Sequence, residues 1–313
     1  MFTHSHPVFD GIDTLYADNI LPQLLPLETR RQAFWKQFKI FAIALFIVAT
    51  TVGQFIFNRT ENIAMLLIWG AFCMAGLCGF YGVKSRTVRG DTKFILMSEI
   101  SSFVGLVYKG LPDIEADFLA RLQALNLLPS RVHRSSFEDG ITGRIGNVDV
   151  KVCEAKLEQK VKTDKGEHWK TVFQGSLLEM DFHRNFLGTT IVLRDAGVFN
   201  AKRKGEMKRI GLASPRFEKL FEAYGTDQVE GRYLLTPTFM ETLIDLEETV
   251  DGKKIRFAFN EGRLWIAVEH PNRFETKSLR QPMTDTGRVQ TIIDELEAIF
   301  TIVTAVAAPK KRR

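Results

Sequence analysis

The chain has 313 residues, 45% of them hydrophobic and 25% charged, with a net charge of +5. That length holds one sizeable domain with additional segments, and the composition excludes a disordered or fibrous chain. Three cysteines, none in a CxxC pair, exclude a disulfide framework and a cysteine zinc site.

Residues 1–39 read as a cytoplasmic amphipathic segment. Phe9, Ile12, Tyr16, Ile20 and Leu24 follow a rough helical spacing, and Pro22 and Pro26 interrupt it into one or two short helices. His4 and His6 form only a weak metal pair. Residues 40–83 read as a transmembrane helical hairpin with spans at 40–57 and 63–83, neither containing a charged residue. As helices the two runs reach roughly 27 and 31 Å, matching a hydrocarbon core of roughly 30 Å. The first run starts too far from Met1, and lacks the cleavage pattern, to be a signal peptide.

The connector Asn58–Asn62 is too short for anything except an antiparallel turn, so both outer ends share one side. Arg30, Arg31, Lys36 and Lys39 precede the first span, and Lys84, Arg86, Arg89 and Lys93 follow the second; the connector has only Arg59. This asymmetry predicts cytoplasmic termini in a bacterial inner membrane. Ala71, Ala75 and Gly79 recur every four residues on the second helix, a small-residue face whose expected use is packing within the hairpin. Homo-oligomerisation through that face is the other use. Two spans without ionisable groups make a poor transporter.

Residues 84–130 read as juxtamembrane amphipathic helices that couple the anchor to the domain. Phe94, Met97, Ile100, Val104 and Val107 form one stripe; Ile114, Phe118, Leu122 and Leu125 form the next. Residues 131–308 read as a cytoplasmic α+β domain. Ile141–Ile145 and Val148–Val152 flank Gly146-Asn147, a two-residue hairpin signal. The apolar alternation then slips by one at Cys153, which predicts a β-bulge. Thr163–Glu167 turns into a strand at His168–Phe182, and Thr189–Leu193 adds another. Ser214-Pro215 and Thr236-Pro237 are helix starts, the first with Phe217, Leu220 and Phe221 as its apolar stripe. A hairpin at 255–268 and an amphipathic helix from Val289 to Val303 close the domain. Strands grouped in hairpins with segregated helices argue for α+β. Residues 309–313 form a basic tail.

The residues from Phe173 onward resemble a bacterial family known only as domain of unknown function 3137. The resemblance is carried by Phe173-Gln174-Gly175, Phe186-Leu187-Gly188, the helix with Phe217 and Phe221, and above all Asp227-Gln-Val-Glu-Gly-Arg-Tyr-Leu-Leu-Thr-Pro237 before Phe239-Met240. It covers much of residues 36–274. It implies a bacterial membrane protein and brings no activity and no catalytic residues.

The sequence contains no nucleophile elbow, zinc-protease helix, Walker loop or dinucleotide fingerprint, so no catalytic, metal or cofactor residues are assigned. Asp227, Glu230 and Arg232 are the most prominent polar group. A turn-fixing carboxylate–guanidinium pair is the first reading, and a ligand site the second. Lys202, Arg203, Lys204, Lys208 and Arg209, with Lys310, Lys311, Arg312 and Arg313, are candidate contacts for an anionic leaflet. No recognised binding fold accompanies the charge, so nucleic acid is not an expected partner. The functional expectation is a membrane-anchored module that binds a protein, peptide or lipid headgroup. The alternatives are a membrane-surface enzyme and an accessory subunit of a membrane complex.

Overall fold

The computed structural model describes residues 1–60, 63–164, 166–181, 188–195, 207–249, 255–270 and 278–307. The chain divides into two compact units: Met1–Thr3, Gly11–Glu99 and Glu275–Ile292 in one, and His4–Asp10, Ile100–Phe274 and Ile293–Arg313 in the other.

The first unit is built on two long helices, α1 (Leu21–Thr60) and α2 (Ile63–Phe103). Both are long and apolar enough to cross a membrane. The prolines do not break α1 as the sequence suggests. A π turn at Tyr16–Ile20 feeds directly into it, the Leu21 N–H bonding the Tyr16 carbonyl, and the helix runs on through Pro26. The wider π turn accommodates Pro22, which has no N–H to contribute.

Gly53 provides the close approach between α1 and α2: a Cβ there would lie 3.4 Å from Leu66 and 3.8 Å from Trp69. The Trp69 indole also donates to the Ala49 carbonyl at 3.1 Å. Nearer the outer ends, Phe34, Phe38 and Phe41 meet Phe80 and Tyr81 ring to ring. Ala71, Ala75 and Gly79 lie on a different face and are exposed, with nothing within 4 Å of a Cβ at Gly79. The expected packing of that face inside the hairpin is therefore corrected. Large rings on α2 need a deep recess, and Ala49 and Gly53 on α1 supply it.

A polar clamp holds the segment before the last helix in the same unit. Glu28 accepts hydrogen bonds from the Arg31 guanidinium at 2.6 Å and from the Met283 N–H at 2.7 Å. Arg31 and the Trp35 indole donate to the Leu279 carbonyl at 3.2 and 3.1 Å. Arg288, only 2% exposed, donates to the carbonyls of Ser278, Gln281 and Pro282.

The second unit is a nine-stranded sheet in the order β1-β2-β3-β4-β9-β8-β5-β7-β6 among the described residues. Every pairing is antiparallel. The strands are β1 (Leu106–Lys109), β2 (Arg134–Ile145), β3 (Val148–Thr163), β4 (Gly166–Asp181), β5 (Thr190–Arg194), β6 (Lys208–Arg209), β7 (Phe221–Gly225), β8 (Ile255–Asn260) and β9 (Arg263–Glu269). The helices after α2 are α3 (Phe118–Ala124), α4 (Pro215–Leu220), α5 (Gln228–Leu234), α6 (Pro237–Thr249) and α7 (Thr286–Ala307). The architecture is α+β, with long apolar helices followed by an antiparallel sheet and its helices.

Two residues predicted on helices lie on strands. Val107 belongs to β1, because Gly105 takes a left-handed φ of 78° and ends the helical course after Phe103. Phe221 begins β7, whose five residues are all buried and which pairs along its length with β5. Sheet pairing outweighs the local helical pattern there. The β2–β3 hairpin closes through Gly146-Asn147 as read from the sequence, with Ile145 opposite Val148. The β8–β9 turn has positive φ at Glu261 and Gly262, the requirement of a two-residue type I′ turn.

The bulge predicted at Cys153 lies opposite it. Glu138 pairs with Glu154 and Ile141 with Val152, so Asp139 and Gly140 of β2 face the single residue Cys153. The slip in β3 has a second cause, because the strand exchanges its buried face. Val148, Val150 and Val152 bury one side, then Cys153, Ala155 and Leu157 bury the other. The latter three join Leu122, Phe173, Leu177 and Trp265 in one hydrophobic cluster.

Candidate functional site

The bulge shapes one wall of a cleft. Asp139 adopts a left-handed φ of 56° although its side chain is buried at 2% exposure. A non-glycine residue in that conformation costs on the order of 1–3 kcal/mol unless its surroundings hold it. Here the Tyr108 hydroxyl donates to its carboxylate at 2.7 Å, and its N–H donates to the Gly110 carbonyl at 3.1 Å. Burial, reinforced by the Asp139 charge, raises the Tyr108 hydroxyl pKa far above its ordinary value. Gly140 leaves room for Pro112, whose atoms a Cβ would approach to 2.7 Å.

The cleft runs between Pro112–Phe118 and strands β2, β3 and β4, with a cavity volume of about 50 Å³. Its walls include Pro112, Ile114, Phe118, Val152 and Leu177, with Cys153 among them. The polar lining includes an alternating charge array: Lys151 lies 3.5 Å from Glu115 and 3.9 Å from Glu179, and Glu179 pairs with Arg263. Burial, with the neighbouring Glu154 charge, pushes the Cys153 thiol up to about 12. At neutral pH it is a protonated apolar group rather than a nucleophile. The chemistry of the cleft is that of apolar contact, and its size suits a slim side chain or a few waters rather than a bulky ligand.

Asp227, Glu230 and Arg232 have separate structural tasks. Asp227 caps α5, its carboxylate accepting from the Val229 and Glu230 N–H groups at 2.8 and 2.9 Å. Glu230 accepts from the Gly188 N–H at 2.8 Å, and Arg232 donates to the Gly211 carbonyl at 3.4 Å. Lys208 and Arg209 form the short edge strand β6, with Arg209 3.9 Å from Glu222. Lys202, Arg203, Lys204, Lys310, Lys311, Arg312 and Arg313 lie outside the described residues. His6 accepts from the Val8 N–H, and no cluster of three metal-ligating side chains occurs among the described residues.

Two features escaped the sequence reading. The cleft combines residues from four separated stretches, and its local signals were Gly140 and the slip at Cys153. The other is a Ser–His contact: the Ser176 hydroxyl lies 2.7 Å from His270 Nε2. Ser176 sits on β4, and His270 follows β9, where its N–H donates to the Gln174 carbonyl. Antiparallel β4–β9 pairing brings together residues 94 apart in sequence.

Other residues that carried the family resemblance also have structural roles. Phe173 is buried in the core. A Cβ on Gly175 would overlap the Val268 carbonyl oxygen, so glycine permits the β4–β9 approach. Gly231 makes the same room for Ile210. Thr236 caps α6 through the Phe239 N–H, and Phe239 meets Phe259 edge to face at 5.9 Å. Phe186 and Leu187 lie outside the described residues.

The fold and the cleft thus define an α+β sheet domain joined to long apolar helices. Residues 171–307 match the family model described as protein of unknown function (DUF3137), so this segment is similar to that family. Among solved structures, the chain is similar to the crystal structure of the mycobacterial trehalose monomycolate transport factor A, TtfA. The identity is 10%, the match covers 71% of this chain and 98% of that one, and the TM-score is 0.33. No curated protein matches the chain.

Proposed function

We propose that the chain is a membrane-anchored binding module. In this reading α1 and α2 cross a bacterial cytoplasmic membrane with both termini in the cytoplasm, and the sheet domain engages a protein, peptide or lipid headgroup. The observation that carries the anchor is exposure: only 6% of the most apolar stretch of either helix is buried within the chain. A core helix of a water-soluble protein is mostly buried, whereas a helix in lipid needs no such cover. The cationic flanks at Arg30, Lys36, Lys39, Arg86 and Lys93, against Arg59 in the connector, support the orientation. Retention after alkaline carbonate washing and reporter fusions at the connector and the C-terminus test it. Release by carbonate removes the anchor, and an external C-terminus reverses the orientation.

The apolar walls of the cleft at Pro112, Ile114, Phe118 and Leu177 support its use as a binding surface. A photo-crosslinking residue in place of Ile114 should capture a partner in native membranes more efficiently than one in place of the exposed Arg144. Equal yields would end the assignment of the cleft. The Ser176–His270 contact favours a second reading, a hydrolase, because a hydroxyl bonded to imidazole is half of a nucleophilic constellation. A fluorophosphonate probe decides between them: labelling of the wild-type chain that Ser176→Ala abolishes establishes the hydrolase.

A further inference from the structure

The β3–β4 hairpin continues past its neighbours. β2 stops pairing at Arg134↔Glu158, and β9 pairs with β4 only from Gly175 onward. Beyond Glu158↔Thr171 lie five further rungs, Gln159↔Lys170 to Thr163↔Gly166, with no flanking strand among the described residues. At roughly 3.3 Å per residue this arm reaches roughly 16 Å beyond the sheet. A bare two-stranded ribbon is marginal in water. This one is braced at its base by His133, whose N–H donates to the Glu158 carbonyl and whose Nδ1 accepts from the Lys160 N–H.

The arm carries an exposed aromatic among lysines. Trp169 is 48% exposed, and it is the exposed one of the chain's four tryptophans. Lys160 stands directly opposite it and Lys162 lies on the same face, opposite Glu167. Lys160 pairs with Glu167. Among the described residues neither Lys162 nor Lys170 pairs with a carboxylate. From Lys156 to Thr171 the sequence has five lysines against three acidic residues. Tryptophan has an apolar body and a polar N–H, which suits it to the headgroup layer of a bilayer. Lysine is drawn to the anionic lipid surface.

We propose that the β3–β4 arm is a membrane-surface contact, laying Trp169, with Lys160 and Lys162 beside it, into the headgroup layer of an anionic leaflet. This rests on the membrane-anchored reading. The test uses the full chain carrying Cys73→Ala, Cys78→Ala and Thr163→Cys, with an environment-sensitive fluorophore at the arm tip and buried Cys153 retained. The chain is reconstituted into phosphatidylcholine vesicles with or without phosphatidylglycerol. The expected result is a blue-shifted emission, with about a twofold rise in intensity, confined to the anionic vesicles and screened by salt. Adding Trp169→Ala with Lys160→Ala and Lys162→Ala should remove it, and these exposed positions leave the core untouched. A solvated label on a chain that floats with anionic vesicles would overturn the arm contact alone. An equal rise in neutral vesicles, or in detergent on self-association, would also overturn it, pointing to a protein or second-copy contact. A chain that fails to float with the vesicles would overturn the anchor and this inference with it.

Discussion

Glu28 shows how one side chain can fix a distant segment. The Arg31 hydrogen bond, partly opposed by burial and supported by the Met283 N–H and Gln32, lowers its pKa from 4.5 to about 2. A carboxylate with a depressed folded-state pKa stabilises the fold fully above its unfolded value, and the contribution disappears as pH falls through the folded value. The window here runs from about 4.5 down to about 2. A shift of that size corresponds to on the order of 3 kcal/mol. Glu28→Gln should therefore lower thermal stability at neutral pH and flatten the acid limb, as read by melting the detergent-solubilised chain from pH 6 to pH 2. An unchanged acid limb would show that the clamp does not depend on this charge. Cys153 makes a complementary prediction. With its thiol pushed up to about 12 and its side chain buried, it should resist maleimide at pH 7 in the folded chain and react after denaturation. Mass spectrometry of the labelled peptide distinguishes the two.

At the scale of elements, local chemistry and sheet pairing contribute differently. The capping residues Ser214, Asp227 and Thr236 act through backbone N–H groups within three residues. The starts at Ser214 and Thr236 are legible from the following proline, whereas Asp227, which has no such proline, reads from sequence as a turn-fixing group rather than the cap of α5. Asp227→Ala leaves two N–H groups of α5 uncapped and should cost about 1 kcal/mol, measurable as a lower melting temperature with the fold retained. Gly175 depends on a neighbour that only the β4–β9 pairing supplies. Gly175→Ala should separate those strands and cost several times more, on the order of 3 kcal/mol or loss of folding. Limited proteolysis should then cut within β9, and a normal digestion pattern would refute the close-approach argument. Phe221 departs from its helical pattern for the same kind of reason. Its helical spacing is real, but pairing with β5 absorbs it into a strand.

For the whole molecule, the exposed apolar helices are the feature on which the proposed anchor is tested. Ile47 and Ile68 are 56% and 70% exposed, and neither has the cover a water-soluble protein would provide. Ile47→Arg with Ile68→Arg should reduce the membrane-retained fraction, since an arginine near a helix centre costs about 3 kcal/mol on insertion. In a water-soluble chain the same pair would be neutral or would improve solubility. Carbonate extraction beside the wild-type chain distinguishes these outcomes.

The sequence by itself determined the uncharged apolar runs, the hairpin turns, the helix starts at Ser214 and Thr236 and the α+β class, because each is written in residues close together along the chain. It also contained the slip at Cys153 without revealing which strand holds the extra residue. Only the tertiary structure decided that β2 carries the bulge, that Trp69 and aromatic rings join the two long helices, and that Ala71, Ala75 and Gly79 stay uncovered. The cleft, the Glu28 clamp and the protruding Trp169 arm belong to the same group. Each depends on which distant strands and helices meet or stop meeting, and spacing along one strand or helix does not encode that choice.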